Sequence, residues 1–474
     1  MTSSSLLLVL LHHLRLCWNY LLSLFHSAPA NHRERSAISL TNLFSKSSSR
    51  QQLLTFDNGT QVYIGDQIAE GGFSYVFEAF PASPTSAATK KKYALKRINC
   101  SDEELLQSCR HEAGIHRSLP RHHPNLLELL GLKFEQDRVL MNSSRGSLTE
   151  EYNVCYMLFP HLTNSLRGEI TRRNILLDNY HHNSNNHQQR RQPFTTIEAL
   201  HLFRGILDGL LAMHNANISH RDVKLENVML TSSPPTTYAD HHNTSSRFTP
   251  ILIDYGSAGP LQSPPLTTRQ SILQIIEVAE SNTTFSYRPP ELSDVGNYLR
   301  PSVSCTVDYG KVDVWSLGCV LFGILHGVSP FEMEFVKSGN GSYGGGSEVV
   351  VEDGYEQFGL VRIVECTTLK ILGEVPFPPW AGSGLGDVVP TASVGDGRDG
   401  RYPLSLYKFI RYMVQHDRMS RPNVYEVVKR FGQLHYELLD EEWIPYSDGK
   451  SGRGDEEEGE HDDFDSLIAS RDFV

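Results

Sequence analysis

The residues that point most directly to chemistry lie in one short stretch, His220-Arg-Asp-Val-Lys-Leu-Glu-Asn-Val-Met-Leu230. Within it, a carboxylate (Asp222) is followed by a lysine two residues later (Lys224) and by an asparagine five residues later (Asn227). The set suits phosphoryl transfer, because one rigid turn after a helix would supply a carboxylate for a reacting hydroxyl, a cation that faces phosphate and a metal ligand.

Three further motifs follow in order along the chain. Ile251-Leu-Ile-Asp-Tyr-Gly256 places an acid, Asp254, directly after an apolar strand. Ser286-Tyr-Arg-Pro-Pro-Glu291 and Val312-Asp-Val-Trp-Ser-Leu-Gly318 come next.

Two weaker motifs precede the catalytic stretch. The glycines of Glu70-Gly-Gly-Phe-Ser-Tyr-Val76 would let backbone N–H groups close over phosphates, although they would equally form an ordinary hairpin. Ala94-Leu95-Lys96 reads as a strand with one lysine, and such a lysine is usually a solvated edge charge.

The elements that must position these residues change in type along the chain. The first part reads as strands around one helix over 101–118, which opens with Ser101 and three acids. Apolar residues at helical spacing predict a helix from Ile197 to Asn215, and most later long segments also read as helical. We therefore predict an α+β fold with a small β-rich lobe and a larger, mainly helical lobe. The predicted strands cover 61–69, 75–80, 92–98, 126–134 and 152–158.

Composition sets the limits of this domain. After a Ser-rich linker over 31–55, the folded domain is expected over 56–440, followed by an acidic, disordered tail over 446–474. Low-complexity stretches inside the domain read as surface insertions, which cost little loop entropy. These insertions cover 179–193, 231–247, 337–354 and 381–400.

Charge and cysteine content exclude several classes. The net charge is −12, but residues 454–474 hold nine acids and one base, so the rest of the chain carries only −4. A body so close to neutral argues against nucleic acid as the main partner. Seven cysteines without a CxxC pair suggest neither a disulfide framework nor a zinc site, and favour a reducing compartment.

The first 30 residues form a separate, largely apolar segment. A spanning helix would have to bury Arg15 near its middle, at a cost of roughly 2.5–3.5 kcal/mol. A helix lying in the membrane interface, with Trp18, Tyr20 and Phe25 buried, fits the composition better. A targeting signal and a disordered start remain the alternatives.

Taken together, the ordered motifs resemble the eukaryotic protein kinases from about residue 61 to 435. Within that family the chain is most similar to the Numb-associated kinase group. The segments behind this closer resemblance are Glu70-Gly-Gly-Phe-Ser-Tyr-Val76, Arg110-His-Glu-Ala-Gly-Ile-His116, Asp254-Tyr-Gly-Ser257 and Thr284-Phe-Ser-Tyr-Arg-Pro-Pro-Glu291. The resemblance implies a bilobal kinase fold, ATP and Mg²⁺ as cofactors, and protein substrates.

The resemblance also implies roles for individual residues. Asp222 matches the acid that orients the attacking hydroxyl, and Asn227 and Asp254 match the two Mg²⁺ ligands. Lys96 matches the lysine on the α- and β-phosphates, with Glu112 as its expected helix partner. The alternatives to Glu112 are Glu103, Glu104 and Glu128.

Adenine is expected between apolar layers, with Leu158 at the gatekeeper position and the backbone of Phe159 to His161 at the purine edge. The implied nucleotide-binding residues, besides Lys96, Glu112 and Asp254, are Ile68, Gly71, Gly72, Val76, Ala94, Phe159, His161 and Met229.

Lys224 and Thr284 indicate the acceptor. In Ser/Thr kinases such a lysine contacts the γ-phosphate and such a threonine bridges Asp222 and Lys224, so serine/threonine transfer is expected. Arg221 would either pair with a phosphate on the activation loop or merely anchor that loop. The candidate phosphorylation sites are Thr267, Thr268, Ser271, Ser281 and Thr283.

Two departures from the family pattern, together with the many insertions, motivate competing hypotheses. Ala69 replaces the first loop glycine, and Tyr255 replaces the usual phenylalanine and adds a hydroxyl that needs a partner. The competing hypotheses are a pseudokinase scaffold that binds nucleotide without transfer and, less favoured, a small-molecule kinase. Intact Lys96, Asp222 and Asp254 favour catalysis.

The resemblance suggests a cytoplasmic protein at a Golgi or endosomal membrane face, contacting the membrane through residues 1–30. However, the relatives' lipid anchor requires glycine at position 2, where this chain has Thr2.

Overall fold

The computed structural model describes residues 52–70, 74–82, 91–143, 146–183, 193–232, 248–336, 360–377, 402–440 and 443–446. The apolar segment over 1–30, the acidic tail beyond 446 and the greater part of the four expected insertions lie outside the described residues. The chain divides into two compact units. The first comprises Met1–Leu106 and Leu130–His161, and the second comprises Gln107–Leu129 and Leu162–Val474.

The first unit is built on a six-stranded sheet in the order β1-β2-β3-β4-β6-β5, in which every neighbouring pair is antiparallel. The strands predicted over 61–69, 75–80 and 92–98 are confirmed as β2, β3 and β4. In β4 the apolar residues Leu95 and Ile98 are buried, which agrees with the prediction of a strand from this apolar run. The strands are β1 (Leu53–Thr55), β2 (Gln61–Glu70), β3 (Ser74–Pro81), β4 (Tyr93–Cys100), β5 (Gly131–Ser143) and β6 (Gly146–Pro160).

The last two strands differ from the prediction. Short strands were expected over 126–134 and 152–158, whereas β5 and β6 form one long hairpin that pairs from Gly131↔Leu158 to Ser143↔Gly146. The outer half of this hairpin is mostly polar, so it lacks the apolar alternation that marks a half-buried strand. Residues 126–130 contribute only an isolated bridge, Leu126↔Leu252.

The main helix of this part of the chain, α1, runs from Glu103 to Ser118. The sequence placed its start at Ser101, but Asp102 caps it, since its Oδ1 accepts a hydrogen bond from the Leu105 N–H at 2.8 Å. That hydrogen bond, together with one from Ser101, lowers the pKa of the Asp102 carboxyl.

The second unit is mainly helical, so the predicted α+β class is confirmed. A capping box between Thr195 and Glu198 starts its long helix α3, which was predicted over 197–215. Helix α2 runs to Asn183 and therefore enters the stretch expected to be an insertion. The helices are α2 (Leu166–Asn183), α3 (Thr196–Asn215), α4 (Arg269–Asn282), α5 (Pro290–Ser293), α6 (Val295–Tyr298), α7 (Tyr309–His326), α8 (Thr368–Leu372), α9 (Leu404–Met413) and α10 (Val424–Leu439).

Helix α7 is the centre of this unit. It is buried along almost its whole length, and its last turn ends at Gly327, whose φ of 91° lies in the left-handed region. Short antiparallel strands complete the unit. They are β7 (Asn164–Ser165), β8 (Ile218–Ser219), β9 (Val228–Ser232), β10 (Phe248–Leu252), β11 (Gly259–Pro260), β12 (Met333–Val336) and β13 (Leu360–Ile363). Among the helices that the structure describes, none is both long and apolar enough to cross a bilayer.

A buried ion pair fixes the start of α5 within the second unit. Arg421 donates to both carboxylate oxygens of Glu291, at 2.7 and 3.0 Å, and both side chains are almost fully buried. The guanidinium also lies 5.0 Å from the ring centre of Trp315 and donates to the Gln415 carbonyl.

We expect Arg421→Met to lower the free energy of unfolding by about 3–5 kcal/mol, because it leaves the Glu291 carboxylate buried and unpaired. Urea unfolding followed by tryptophan fluorescence would measure this, since Trp315 lies against the pair. As a control, Arg421→Met with Glu291→Leu should recover much of the loss, because neither charge then remains buried. Equal destabilisation in the single and double variants would contradict this account.

A second buried carboxylate lies on α3. Asp208 is 6% exposed, its Oδ1 accepts the Tyr446 N–H at 3.4 Å, and Arg204 lies 4.0 Å away. Burial raises the pKa of Asp208 to about 7, and the charge of Arg204 opposes this rise only in part. The folded protein therefore holds a proton on this carboxyl that the unfolded chain releases near its ordinary value.

The pKa of Asp208 implies a pH-dependent stability. Because the folded pKa is raised, the stabilising effect of protonation is complete below about pH 4 and is lost as the pH rises through about 7. The loss is on the order of 4 kcal/mol. We expect Asp208→Asn to gain stability relative to wild type steadily between pH 4.5 and 8 in urea unfolding. A difference independent of pH would contradict the raised pKa.

Candidate active site

The catalytic stretch predicted from the sequence is held by one buried side chain. The carboxylate of Asp313, on α7, accepts hydrogen bonds from the backbone N–H groups of His220 and Arg221 at 2.8 and 2.7 Å. It also lies 2.8 Å from Nε2 of His214. The contact with His214 was not predicted, because the place of His214 at the end of α3 gives no sign of it.

Both oxygens of the Asp222 carboxylate are fixed by neighbours. Oδ1 accepts hydrogen bonds from the Thr284 N–H and hydroxyl, at 2.9 and 2.7 Å. Oδ2 accepts hydrogen bonds from Lys224 at 2.7 Å and from the Asn227 amide at 3.1 Å. Lys224 also donates to the Thr284 hydroxyl at 2.8 Å, so Thr284 bridges Asp222 and Lys224, as the resemblance to kinases implied.

Residues 225–227 form a short 3-10 turn that brings Asn227 back beneath Asp222. The Asn227 amide nitrogen donates to the carbonyl and carboxylate of Asp222, which leaves its amide oxygen as a potential metal ligand. Its carbonyl accepts the Ile253 N–H at 3.0 Å, so Asn227 is joined to the residue that precedes Asp254.

Asp254 follows β10 at a backbone φ of 65°, in the left-handed region. Its carboxylate is exposed and has no hydrogen-bond or ionic partner within the part of the chain that the structure describes. A free carboxylate and an amide oxygen are the hard oxygen ligands that Mg²⁺ prefers. The described residues contain no cluster of three or more His, Cys, Asp or Glu that could hold a metal by themselves. The residues present therefore fit Mg²⁺ that is shared with phosphate oxygens.

The side chain of Arg221 contacts neighbouring residues of the fold. Its guanidinium donates to the Pro260 carbonyl at 2.7 Å and to the Ser219 hydroxyl at 3.1 Å, and it lies 3.8 Å from the ring centre of Tyr309. A Cβ at position 259 would lie 2.7 Å from this guanidinium, so a side chain in place of Gly259 would displace it. These are the contacts of the anchoring alternative.

The predicted phosphosites surround α4. Thr268 caps this helix together with Ser271, and the Thr283 hydroxyl accepts a hydrogen bond from Arg288 at 2.7 Å. Because Thr268, Ser271 and Thr283 already make local hydrogen bonds, phosphorylation of any of them would replace an existing contact.

The nucleotide-binding residues predicted in the first unit lie mainly on β3 and β4. Val76 pairs with Lys96, and Ala94 lies two residues along β4 from Lys96, so the three side chains share one face of the sheet. Ile68 lies where the register between β2 and β3 shifts, and it is exposed. Gly71 and Gly72 fall outside the described residues.

The register of β4 and β6 corrects the expected gatekeeper. Leu158 pairs with Leu95 and belongs to the apolar cluster with Leu54, on the face opposite Lys96. Phe159 pairs with Ala94 and so shares the Lys96 face. The expectation was therefore wrong by one residue, because a one-residue slip in a strand reverses the side that a residue faces.

Three other predicted residues lie elsewhere. His161 follows β6, with its Nε2 3.7 Å from Glu78. Met229 lies in β9, where it pairs with Ile251. Glu112 is buried in the middle of α1.

The second unit also places Glu112 relative to Asp254. A Cβ at Gly256 would lie 3.5 Å from an oxygen of Asp254 and 3.9 Å from an oxygen of Glu112, so both carboxylates border Gly256. Of the alternatives to Glu112, Glu103 is exposed in the first turn of α1 and Glu128 is 3.1 Å from His122.

This chain is similar to a known protein family and to several known proteins. The family described as "Protein kinase domain" matches residues 63–431, more than three quarters of the chain. Serine/threonine-protein kinase 16 of Rattus norvegicus is 30% identical over 282 residues, which are 59% of this chain and 74% of that protein. The Homo sapiens protein of the same name gives the same figures.

A probable serine/threonine-protein kinase of Dictyostelium discoideum is 30% identical over 268 residues. These residues are 56% of this chain but only 19% of that protein. The chain therefore matches most of the first two relatives and only one part of the third.

Proposed function

The chain belongs to the protein kinase family, and from that premise we propose that it is an active serine/threonine kinase that uses MgATP. The observation that carries the proposal is the arrangement around Asp222. Its carboxylate is fixed by Thr284, Lys224 and Asn227, and the residues with chemical roles are all present.

Asp222 supplies the base in this proposal. A carboxylate has about four positions that can accept a hydrogen bond, and Thr284, Lys224 and Asn227 fill them. A substrate hydroxyl can bond to Asp222 only where one of these donors yields. Lys224 is the donor that an arriving phosphate would attract, so nucleotide binding would open Asp222 to the hydroxyl.

Asn227 and Asp254 are the residues that would hold Mg²⁺. When bound, the ion offsets charge that develops on the phosphate oxygens during transfer. The chain's own contribution is to hold both oxygen ligands in place, through the backbone hydrogen bond between Asn227 and Ile253.

Serine or threonine is the proposed acceptor. The support is the Lys224–Thr284 hydrogen bond at 2.8 Å, together with relatives that are named as serine/threonine kinases. The pseudokinase alternative remains a distinct outcome, motivated by Ala69 and Tyr255, and predicts nucleotide binding without transfer.

We expect the full-length protein to label itself or a broad peptide library from radiolabelled ATP, on serine or threonine only. Asp222→Asn should lower the rate by about 10²- to 10⁴-fold, because it removes the base. Asp254→Ala should also abolish most labelling.

The matched control for these variants is Asp440→Asn. Asp440 adopts a φ of 54° at the end of α10, a conformation that asparagine tolerates, so the charge changes without harm to the backbone. Labelling should stay at the wild-type level in this control. MgATP binding by a wild type that labels nothing would instead favour the scaffold alternative.

We also propose three more specific properties. They are membership of the Numb-associated kinase group, a role in membrane traffic and a location at the cytoplasmic Golgi or endosomal face. They rest on the group-specific segments such as Asp254-Tyr-Gly-Ser257 and on the apolar composition of residues 1–30. Protein substrates and a membrane surface are the partners in this proposal.

Deleting residues 1–30 should move the protein from the membrane pellet to the soluble fraction, because the segment supplies the apolar surface that would enter the interface. Fractionation of cells that express each form would measure this. Deletion of 447–474 is the matched control and should leave the distribution unchanged, since that tail is acidic. Unchanged sedimentation after the first deletion would refute the anchor.

A further inference from the structure

Tyr255 directly follows the proposed metal ligand Asp254, and its hydroxyl makes two hydrogen bonds. It donates to the Leu252 carbonyl at 2.9 Å and accepts the Leu127 N–H at 2.9 Å. The side chain is fully buried. A phenylalanine, which is usual at this position, would fill the same space but make neither bond.

The two partners belong to separate segments of the second unit. Leu252 ends β10, while Leu127 lies in the connection that follows α1. The Leu127 N–H also reaches the Leu252 carbonyl at 3.0 Å, and the Leu252 N–H donates to the Asn125 carbonyl at 2.9 Å. The Tyr255 hydroxyl, the Leu127 N–H and the Leu252 carbonyl therefore hydrogen-bond to one another in a closed set of three. This set joins the connection after α1 to the end of β10.

The aromatic ring is held from two sides. Its centre lies 4.6 Å from that of His116 on α1 and 5.7 Å from that of His220 in the catalytic stretch.

Ile253 and Asp254, the two residues before Tyr255, lie between these contacts. Ile253 donates its N–H to Asn227 and accepts a bond from His220 Nε2, both at 3.0 Å. Asp254 alone in this turn adopts the left-handed φ of 65°, which is uncommon for a residue other than glycine. Such a conformation persists when its surroundings fix it, and the loop from Leu252 to Tyr255 is closed by the hydroxyl.

We propose that the Tyr255 hydroxyl is a latch that positions Asp254 for Mg²⁺ before the metal arrives. This rests on the proposed function, since the metal-binding role of Asp254 belongs to it. The latch makes Tyr255 a positioning residue, because it acts on the metal through Asp254 and not by contact. It also reverses the meaning of the departure from the family pattern, since the tyrosine strengthens the site.

Tyr255→Phe in the full-length protein is the direct test, because it keeps the ring and removes only the hydroxyl. Tyr402→Phe is the matched control. Tyr402 is also buried, and its hydroxyl donates to the Phe194 carbonyl at 2.7 Å, away from the catalytic stretch. Both variants lose one buried hydroxyl, so a general loss of stability should be similar in the two.

The first measurement is amide hydrogen exchange without nucleotide or metal. Tyr255→Phe should raise exchange in peptides that cover 124–130 and 251–258 about two- to tenfold, the range that corresponds to one net hydrogen bond. Tyr402→Phe should leave both peptides at the wild-type rate. Equal rates in wild type and Tyr255→Phe would overturn the latch.

The second measurement is the dissociation constant of ADP with saturating Mg²⁺ and with EDTA. The ratio of the two constants reports the metal's contribution, and a merely structural change would not move it. We expect the ratio of the constant in EDTA to the constant in Mg²⁺ to fall about two- to tenfold in Tyr255→Phe and to stay constant in Tyr402→Phe. An unchanged ratio in Tyr255→Phe would also overturn the proposal.

The two arms separate failure of the latch from failure of the proposed function. A wild type without any Mg²⁺-dependent ADP binding would refute the function. In that case the exchange rates alone would decide whether the hydroxyl holds the loop.

Discussion

The carboxylate of Asp313 is fully buried in α7, and it accepts the backbone N–H groups of His220 and Arg221. A carboxylate in such a place is costly unless it is hydrogen-bonded, so the loop and the helix stabilise each other. Arg221 has a φ of 67°, a conformation that is rare outside glycine, and Asp313 holds its N–H group and that of the residue before it. The position of Asp222, the next residue, depends on this arrangement.

Other buried polar side chains also hold segments of the site in place through hydrogen bonds. Glu291 and Arg421 fix the chain where α5 begins, seven residues after Thr284, which bonds to Asp222. Tyr255 and Asn227 fix both sides of Asp254. Buried and satisfied polar groups thus hold the oxygens of Asp222, Asn227 and Asp254 in place, which is how a rigid fold prepares a site for charged ligands.

Several features were predictable from the sequence because they depend on neighbours along the chain. Strands β2 to β4 follow from short runs of apolar and aromatic residues, and α3 follows from apolar residues at helical spacing between Ile197 and Asn215. The spacing of Asp222, Lys224 and Asn227 within one turn makes their convergence a local property. Thr284 was predicted too, although only through the resemblance to kinases, since it lies 60 residues beyond Lys224.

Other features were decided by pairing between distant segments. The face on which Leu158 and Phe159 lie depends on the register of β6 against β4, and a shift of one residue exchanges them. The sequence showed that Tyr255 needs a partner, but only folding brought Leu127, 128 residues earlier, to its hydroxyl. The sequence alone therefore determined which groups could do chemistry and their order along the chain. The tertiary structure decided which way they face and what holds them, because register and long-range hydrogen bonds are not properties of any local pattern.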